Sequence, residues 1–355
     1  MDKKNYRFIP AIFLILLFLL LLVGCGSSPI APAITPIAPT ITPTATEDTA
    51  GLSEDAVTTL ESVEQVDAHP LFVMHYQGGY DQTLVGDPPV TIPDLKQACS
   101  LFAALGDLEG LLYGRNFDWG GSPALLLFTD PPDGYASVSM VDIDYTTVDS
   151  MAARHPTDLP LKDRQFLLSA PFVPIDGMNE YGLVIGMASV SYSTGGDDPN
   201  KPTISSLAIM REILDHARTT DEAVAIFSNY NIDFTGGPPI HYLVADRTGK
   251  AILVEYYQGE MYTLANKDPW HIATNYLRCT PSGDGGCLRF NAIHERLIET
   301  GGILNPAESM ELLSVVSQPN TEWSIVYGMI SGEINIVMGT HYETVHTYNL
   351  DMADK

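Results

Sequence analysis

A cysteine, an arginine and an aspartate lie in a pattern that suits a nucleophilic site. Cys99 begins the apolar segment CSLFAAL, and Arg115 and Asp118 follow it by 16 and 19 positions in the run Gly-Arg-Asn-Phe-Asp-Trp. Turn signals between the two runs predict two short strands that fold back on each other, which would bring these side chains together. A neighbouring guanidinium is expected to lower the thiol pKa, and a carboxylate to orient the group that carries the proton. A lone apolar Cys is otherwise typical of a core position.

This spacing resembles that of a known enzyme group. The Arg-Asn-X-Asp run after a Cys is similar to that of the choloylglycine hydrolase and penicillin V acylase group of N-terminal-nucleophile (Ntn) hydrolases, which includes acid-ceramidase-like and isopenicillin-N-acyltransferase-like enzymes. The resemblance covers most of residues 70–340. It implies cleavage between Ala98 and Cys99, which would make Cys99 a chain terminus. Its α-amine, with a pKa of about 7.7–8.0 in small reference compounds, would then be the general base for its own thiol.

Three further residues match positions of the resembled group. Asn275 follows an apolar run, and its side-chain amide would donate to a developing oxyanion. Ser189 lies in the strand after Met-Asn-Glu-Tyr-Gly-Leu, where bile-salt-cleaving members have an oxyanion-hole Asn and penicillin-cleaving members Tyr. Arg289, just before a Phe at a helix start, matches an Arg close to the nucleophile. The alternatives are an ordinary strand Ser at position 189 and a surface salt bridge from Arg289.

The N-terminal region predicts export. A basic start and a long apolar run form a signal peptide over residues 1–25. Its end, Leu-Val-Gly-Cys, resembles the lipobox of bacterial lipoproteins, so Cys25 would be lipidated and hold the chain on the extracytoplasmic side of the bacterial cell membrane. An uncleaved anchor is the alternative, because the run nearly reaches bilayer-spanning length. Residues 26–50 are rich in Pro, Thr and Ala and predict an extended tether.

The globular part begins near residue 51. Residues 51–98 would form a propeptide or small subunit that stays bound to the catalytic domain of residues 99–355, because the run LFVMHY must be buried. The segment SEDAVTTLESVEQVD predicts a helix capped by Ser53 or Asp55. Runs of strands with helices gathered in two regions predict an α+β sandwich. The resemblance sharpens this to the four-layer αββα fold of Ntn hydrolases.

Two stretches of the C-terminal half predict scaffold elements. Apolar residues at helical spacing in residues 204–230 predict two helices, the second capped by Thr220 or Asp221. Residues 240–257 predict a hairpin, which we interpret as structural. These elements would pack on one face of the sheets and leave the chemistry to the residues named above.

The remaining cysteines and histidines predict no metal site. Cys279 and Cys287 close a Gly-rich loop and predict a disulfide outside the cytoplasm, with two free thiols as the alternative. Their spacing is not that of zinc ligands. Strand alternation places His341 and Glu343 on one face and His346 on the other. The formal charge of −26 argues against a nucleic-acid partner, and no phosphate loop or dinucleotide fingerprint indicates a cofactor.

Together these features predict an autoprocessed hydrolase that cleaves the linear amide C–N bond of a small N-acyl substrate through a thioester. One alternative is an acyltransferase on the same scaffold, with an amine as acceptor. Another is a non-catalytic exported binding lipoprotein, in which Cys99 would stay inside an intact chain. A Cys-His peptidase would instead depend on a specific His. The acyl group is not readable from the sequence.

Overall fold

We describe the protein from a computed structural model, which describes residues 48–80, 98–147, 149–280 and 286–354. These residues lie within one compact unit, residues 45–355. The expected lipidation at Cys25 and nearly all of the expected tether lie outside the described residues. Among the described helices, none is long and apolar enough to cross a membrane.

Strands are the most numerous elements of the described chain. The strands β1–β17 span Glu64–Asp67, Leu71–Tyr76, Ala98–Ala104, Leu112–Asp118, Ala124–Thr129, Ser137–Asp142, Pro174–Asn179, Val184–Ser189, Thr203–Ser205, Asn231–Asp233, Ile240–Ala245, Ala251–Tyr257, Glu260–Ala265, Trp270–Ala273, Thr321–Gly328, Glu333–Met338 and His346–Asn349. The helices α1–α6 span Glu54–Glu61, Ser150–Arg154, Ala208–His216, Thr220–Ser228, Leu288–Thr300 and Pro306–Val315. Turns of 3₁₀ helix cover Ile143–Tyr145, Pro156–Asp158 and Leu161–Phe172.

The strands form two large sheets and one small one. The nine-stranded sheet has the order β1-β2-β5-β6-β7-β8-β11-β12-β13, and the six-stranded sheet the order β14-β3-β4-β15-β16-β17. Within these two sheets, neighbouring strands are antiparallel except β2 and β5, which are parallel. The short strands β9 and β10 pair separately. Strand β3, which carries Cys99, and strand β14, which ends two residues before Asn275, are thus neighbours in the six-stranded sheet, although far apart in sequence.

The layers follow from which sheet each helix covers. Helix α3 packs on β7 and β8, and α4 on β11 and β12, whereas α5 packs on β14 and β3, and α6 on β15 and β4. The sheets face each other where β3 contacts β8 and β11, and where β12 contacts β14. The order is therefore helices, sheet, sheet, helices. This confirms the predicted α+β, four-layer αββα architecture.

Side-chain alternation on the inner strands builds separate cores. On β3, Leu101 is buried between the sheets, whereas its neighbour Phe102 is buried under α5 and α6. This is the period of two that a strand covered on both faces requires. Phe72 on β2 belongs to a third core beneath α1. Because β2 lies between β1 and β5, residues 64–76 are part of the large sheet and not an appendage.

The predicted helix boundaries are correct at some ends and wrong at others. Ser53 caps α1 and accepts from the Ala56 N–H at 3.1 Å, as predicted. The helix does not continue through the predicted segment but ends at Glu61, and the chain then forms β1. Helix α4 is capped by Thr219, one residue before the predicted cap, because Thr219 forms a capping box with Glu222. The hairpin of β11 and β12 has the predicted bounds.

Candidate active site

Cys99 lies at the start of β3, opposite the end of β4. The antiparallel register pairs Ala98 with Asp118, Cys99 with Phe117 and Leu101 with Arg115. Cys99 is fully buried. The hairpin predicted from the sequence therefore forms, and it places an arginine and an aspartate beside the thiol.

Arg115 lies between the thiol and a buried carboxylate from the facing sheet. Its Nη2 is 3.5 Å from the Cys99 sulfur, and its Nη1 donates to Asp176 at 2.9 Å. Both ends of this ion pair are fully buried. Burial raises the pKa of the Cys99 thiol, and Arg115 only partly opposes this effect. The guanidinium thus lowers the thiol pKa, as expected, but the pKa in the intact chain is raised because desolvation outweighs the nearby charge.

Asp118 is a buried carboxylate with one satisfied oxygen. Its Oδ1 accepts from the Thr321 hydroxyl at 2.6 Å. Its Oδ2 is buried and has no hydrogen-bond partner among the described residues; Arg289 Nη1 lies 4.0 Å away. Burial raises the pKa of Asp118 to about 6. Its backbone N–H also bonds to the Cys99 sulfur. The Oδ2 of this aspartate can thus accept a hydrogen bond from a group next to the thiol.

Asn275 joins the two sheets at the site. It lies two residues after the end of β14, and its Oδ1 accepts from the Cys99 backbone N–H at 2.7 Å. Its Nδ2 donates to the Ser189 carbonyl oxygen at 2.8 Å and to the Ser189 hydroxyl at 3.0 Å. Ser189, at the end of β8, therefore lies at the site, where its carbonyl and hydroxyl oxygens accept hydrogen bonds from Asn275. The side-chain amide of Asn275 is the neutral donor that the sequence predicts there.

Arg289 points inward from the first turn of α5. Its Nη2 donates to Asn275 Oδ1 at 2.8 Å. Its Nη1 donates to the Cys99 carbonyl oxygen and, at 3.0 Å, to the Ser100 hydroxyl. Its side chain is 17% exposed. The surface salt bridge that was the alternative for this residue is therefore wrong.

The expected disulfide is absent from this structure. Cys279 and Cys287 are both free thiols. Burial and the neighbouring Glu255 raise the pKa of Cys279 to about 12, and the Thr274 hydroxyl donates to the Cys287 sulfur at 3.5 Å. The residues between the two cysteines lie partly outside the described ranges. Disulfide formation in an oxidising compartment stays a prediction.

Two partners of the site residues were not predicted from the sequence. Asp176 on β7 holds Arg115 and also accepts from Trp323 Nε1 at 3.4 Å and from the Tyr327 hydroxyl. Thr321 on β15 orients Asp118. A carboxylate inside the apolar run that became β7 was the available signal for Asp176. Thr321 had none, because it meets Asp118 only through strand pairing.

The arrangement suits acyl chemistry on a carbonyl carbon. It contains a thiol, a guanidinium beside the sulfur, an aspartate on the residue paired with Ala98 and a neutral amide whose oxygen accepts from the cysteine N–H. Within the described ranges, no group of three or more His, Cys, Asp or Glu residues has the geometry to hold a metal ion.

Comparison with known proteins agrees with this geometry. Residues 169–303 match the family model described as acyl-coenzyme A:6-aminopenicillanic acid acyl-transferase. An uncharacterized protein of Paramecium bursaria Chlorella virus 1 is 34% identical over 110 residues, which are 28% of this chain and 39% of that protein. The chain thus spans well under half the length of this curated relative.

Two solved structures share the fold at low identity. A variant of conjugated bile acid hydrolase from Clostridium perfringens is 17% identical, with a TM-score of 0.50 over 71% of this chain and 92% of that chain. Penicillin V acylase from Agrobacterium tumefaciens is also 17% identical, with a TM-score of 0.50 over 71% of this chain and 87% of that chain. The chain therefore has the αββα fold of the Ntn-hydrolase type that these two structures share, and its residues 169–303 are similar to the acyl-transferase family.

Proposed function

We propose that this protein is an autoprocessed N-terminal-cysteine hydrolase that cleaves the linear amide C–N bond of a small N-acyl molecule. The observation that carries the proposal is Asp118 Oδ2, a buried oxygen without a hydrogen-bond partner among the described residues, on the residue paired with Ala98. A buried carboxylate oxygen that accepts no hydrogen bond is costly. An α-ammonium group on Cys99, released by cleavage, would supply the missing partner.

The first reaction would be cleavage of the chain itself. The Cys99 sulfur attacks the Ala98 carbonyl carbon, forming a C–S bond. The C–N bond to Cys99 then breaks, and the nitrogen takes the thiol proton. Water attacks the resulting thioester, which gives a carboxylate on Ala98 and restores the thiol. Arg115, 3.5 Å from the sulfur, stabilises the thiolate during this step.

The mature reaction would use the new amine as a base. It takes the thiol proton, and the thiolate attacks the substrate carbonyl to form a tetrahedral oxyanion, to which Asn275 Nδ2 donates. Collapse breaks the C–N bond, and the ammonium returns its proton to the leaving amine. Water then hydrolyses the thioester. Asp118 holds the amine, and Arg289 fixes the orientation of Asn275 through its Oδ1.

The location of the enzyme and the fate of its N-terminal segment are also part of this proposal. We infer lipidation at Cys25 and extracytoplasmic anchoring to the bacterial membrane from the signal sequence alone. The piece that ends at Ala98 would remain bound after cleavage, because β2 lies between β1 and β5 with Leu71 and Phe72 fully buried. Separation would expose both side chains and a sheet edge.

An acyltransferase is the second candidate, favoured by the match to an acyl-transferase family model. It shares every step up to the thioester, and an amine then replaces water. Incubation of an amide substrate with and without an added primary amine separates the two activities. A new N-acyl product at the expense of free acid would indicate transfer, whereas free acid alone would indicate hydrolysis.

The decisive experiment is intact mass and N-terminal sequencing of protein lacking residues 1–25. We expect a fragment that begins at Cys99 in the wild type, no such fragment in Cys99→Ala, and unchanged cleavage in the control Cys279→Ala. Folded wild-type protein that stays in one piece would contradict the proposal and favour a binding lipoprotein. Activity without this cut, lost on replacement of a His, would favour the peptidase.

A further inference from the structure

A second buried charged pair lies behind Asn275. His241 on β11 and Glu255 on β12 are both fully buried. The imidazole Nδ1 is 3.0 Å from Glu255 Oε1, and the Nε2 is 2.7 Å from the Thr274 carbonyl oxygen. Neither residue contacts the thiol, and the hairpin that carries them gave no functional signal in the sequence.

The contacts place a proton on each side of the imidazole. The Thr274 carbonyl oxygen can only accept, so Nε2 is the donor in that contact. Nδ1 shares a proton with Glu255 Oε1. Burial by itself would raise the pKa of Glu255, but the hydrogen bond and charge of His241, together with two backbone N–H groups, lower it overall. The other charged or titratable groups facing the pair are His271, Arg278 and Cys279.

The pair holds both ends of the turn that contains Asn275. At the beginning of the turn, His241 donates to the Thr274 carbonyl oxygen. At its end, Glu255 accepts from the Arg278 N–H at 2.9 and 3.0 Å and from the Cys279 N–H at 2.7 Å. The backbone on either side of Asn275 is thus attached to the nine-stranded sheet.

We propose that His241 and Glu255 are positioning residues that hold Asn275 where the oxyanion develops. This inference rests on the proposed function, since it concerns the donor of that reaction. An isolated buried ion pair adds little to stability compared with an apolar replacement. Oxyanion donors, in contrast, need placement to a fraction of an ångström, and a misplacement of about 1 Å can cost on the order of 100-fold in rate.

The test compares two reactions of the same thiol. Acylation by p-nitrophenyl acetate passes through an oxyanion, whereas alkylation by iodoacetamide does not. For processed Glu255→Gln we expect acylation to slow by about 10–100-fold while alkylation stays within about twofold of wild type. The matched control is Tyr256→Phe, at the residue next to Glu255 on β12. The buried hydroxyl of Tyr256 has no hydrogen-bond partner among the described residues. We expect both of its rates to be unchanged.

A double-variant cycle identifies the route of the effect. Asn275→Ala should show the same selective loss of acylation, and Glu255→Gln combined with Asn275→Ala should be no slower than Asn275→Ala alone. An additive loss would overturn the inference. Equal slowing of acylation and alkylation in Glu255→Gln would also overturn it, because that pattern indicates general damage to the site.

The result also separates this inference from the proposed function. If wild-type protein is neither cleaved before Cys99 nor acylated, the proposed function fails and the inference fails with it. If the wild type is processed and acylated but Glu255→Gln acylates at the wild-type rate, only the inference fails.

Discussion

Two buried charged clusters face each other at the site, and they are satisfied to different degrees. The nucleophile cluster, Cys99, Arg115 and Asp118, contains a thiol whose pKa burial raises and a carboxylate whose pKa burial raises to about 6. The anchoring pair, His241 and Glu255, makes hydrogen bonds at both imidazole nitrogens and both carboxylate oxygens. The pKa of Glu255 is lowered despite its burial.

We infer from this difference that the nucleophile cluster takes part in the reaction and that the anchoring pair holds the turn around Asn275 in place. A carboxylate with a raised folded-state pKa costs stability when it is ionised, so its favourable contribution exists in acid and is lost as pH rises through about 6. Glu255 behaves in the opposite way: its contribution exists above the unfolded-state pKa and is lost as pH falls through its lowered folded-state value. Of the carboxylates in these two clusters, the one with an oxygen lacking a hydrogen-bond partner among the described residues is thus Asp118, in the nucleophile cluster.

The largest expected effect comes from removing the charge partner of Arg115. Asp176→Asn would leave a fully buried guanidinium without its carboxylate. We expect the free energy of unfolding to fall by about 3–5 kcal/mol, measured by urea denaturation at pH 7. Lys250→Gln, which breaks an exposed pair with Asp221 at 2.9 Å, is the control and should leave the free energy of unfolding nearly unchanged. Equal losses in the two variants would show that burial does not distinguish these pairs.

The sequence predicted contacts that depend on neighbouring strands and missed those that depend on the facing sheet. The positions of Arg115 and Asp118 relative to Cys99 follow from one hairpin, so turn signals and spacing are sufficient. Asp176 reaches Arg115 from the other sheet, 61 residues away in sequence. The His241–Glu255 hairpin was predicted with correct bounds, but its attachment to the turn after β14 depends on how the two sheets stack.

The effect of burial on the thiol pKa was missed from the sequence, and the cause is physical. Sequence reasoning could place a cation beside Cys99 but could not measure desolvation, which requires knowing that the residue is fully buried. The predicted roles of Ser189 and Arg289, by contrast, came from the resemblance to known enzymes. The structure brings both residues to Asn275, at 2.8 Å each.

The second prediction is a rise in the free energy of unfolding, whereas the first is a fall. Asp118→Asn keeps the shape of the side chain and removes the buried charge. The comparison is made in Cys99→Ala, which we expect to remain uncleaved. The double variant Cys99→Ala/Asp118→Asn should be more stable than Cys99→Ala alone. The shift from 3.8 to about 6 corresponds to a gain of up to about 3 kcal/mol at pH 8. At pH 4 the carboxyl is already neutral in the folded state, so the gain should nearly vanish. Denaturation at both pH values measures it; a loss at pH 8 would contradict the cost assigned to this charge.

The smallest expected effect comes from the contact between Ser189 and Asn275. Ser189→Ala removes the hydroxyl acceptor at 3.0 Å but leaves the carbonyl acceptor at 2.8 Å. One neutral hydrogen bond contributes about 1 kcal/mol, which corresponds to roughly a fivefold change in rate. We therefore expect p-nitrophenyl acetate acylation to change by no more than about fivefold, with alkylation unchanged.

The matched control for that contact is Ser193→Ala, four residues further along the chain. Its hydroxyl is also buried and donates to the Tyr256 carbonyl oxygen at 2.9 Å, on the strand of the anchoring pair. It should leave acylation at the wild-type rate. A loss in Ser189→Ala as large as that in Asn275→Ala would mean that the serine hydroxyl itself contacts the reacting atoms. The donor would then have to be reassigned from the amide to the serine, and the anchoring pair would lose its proposed role.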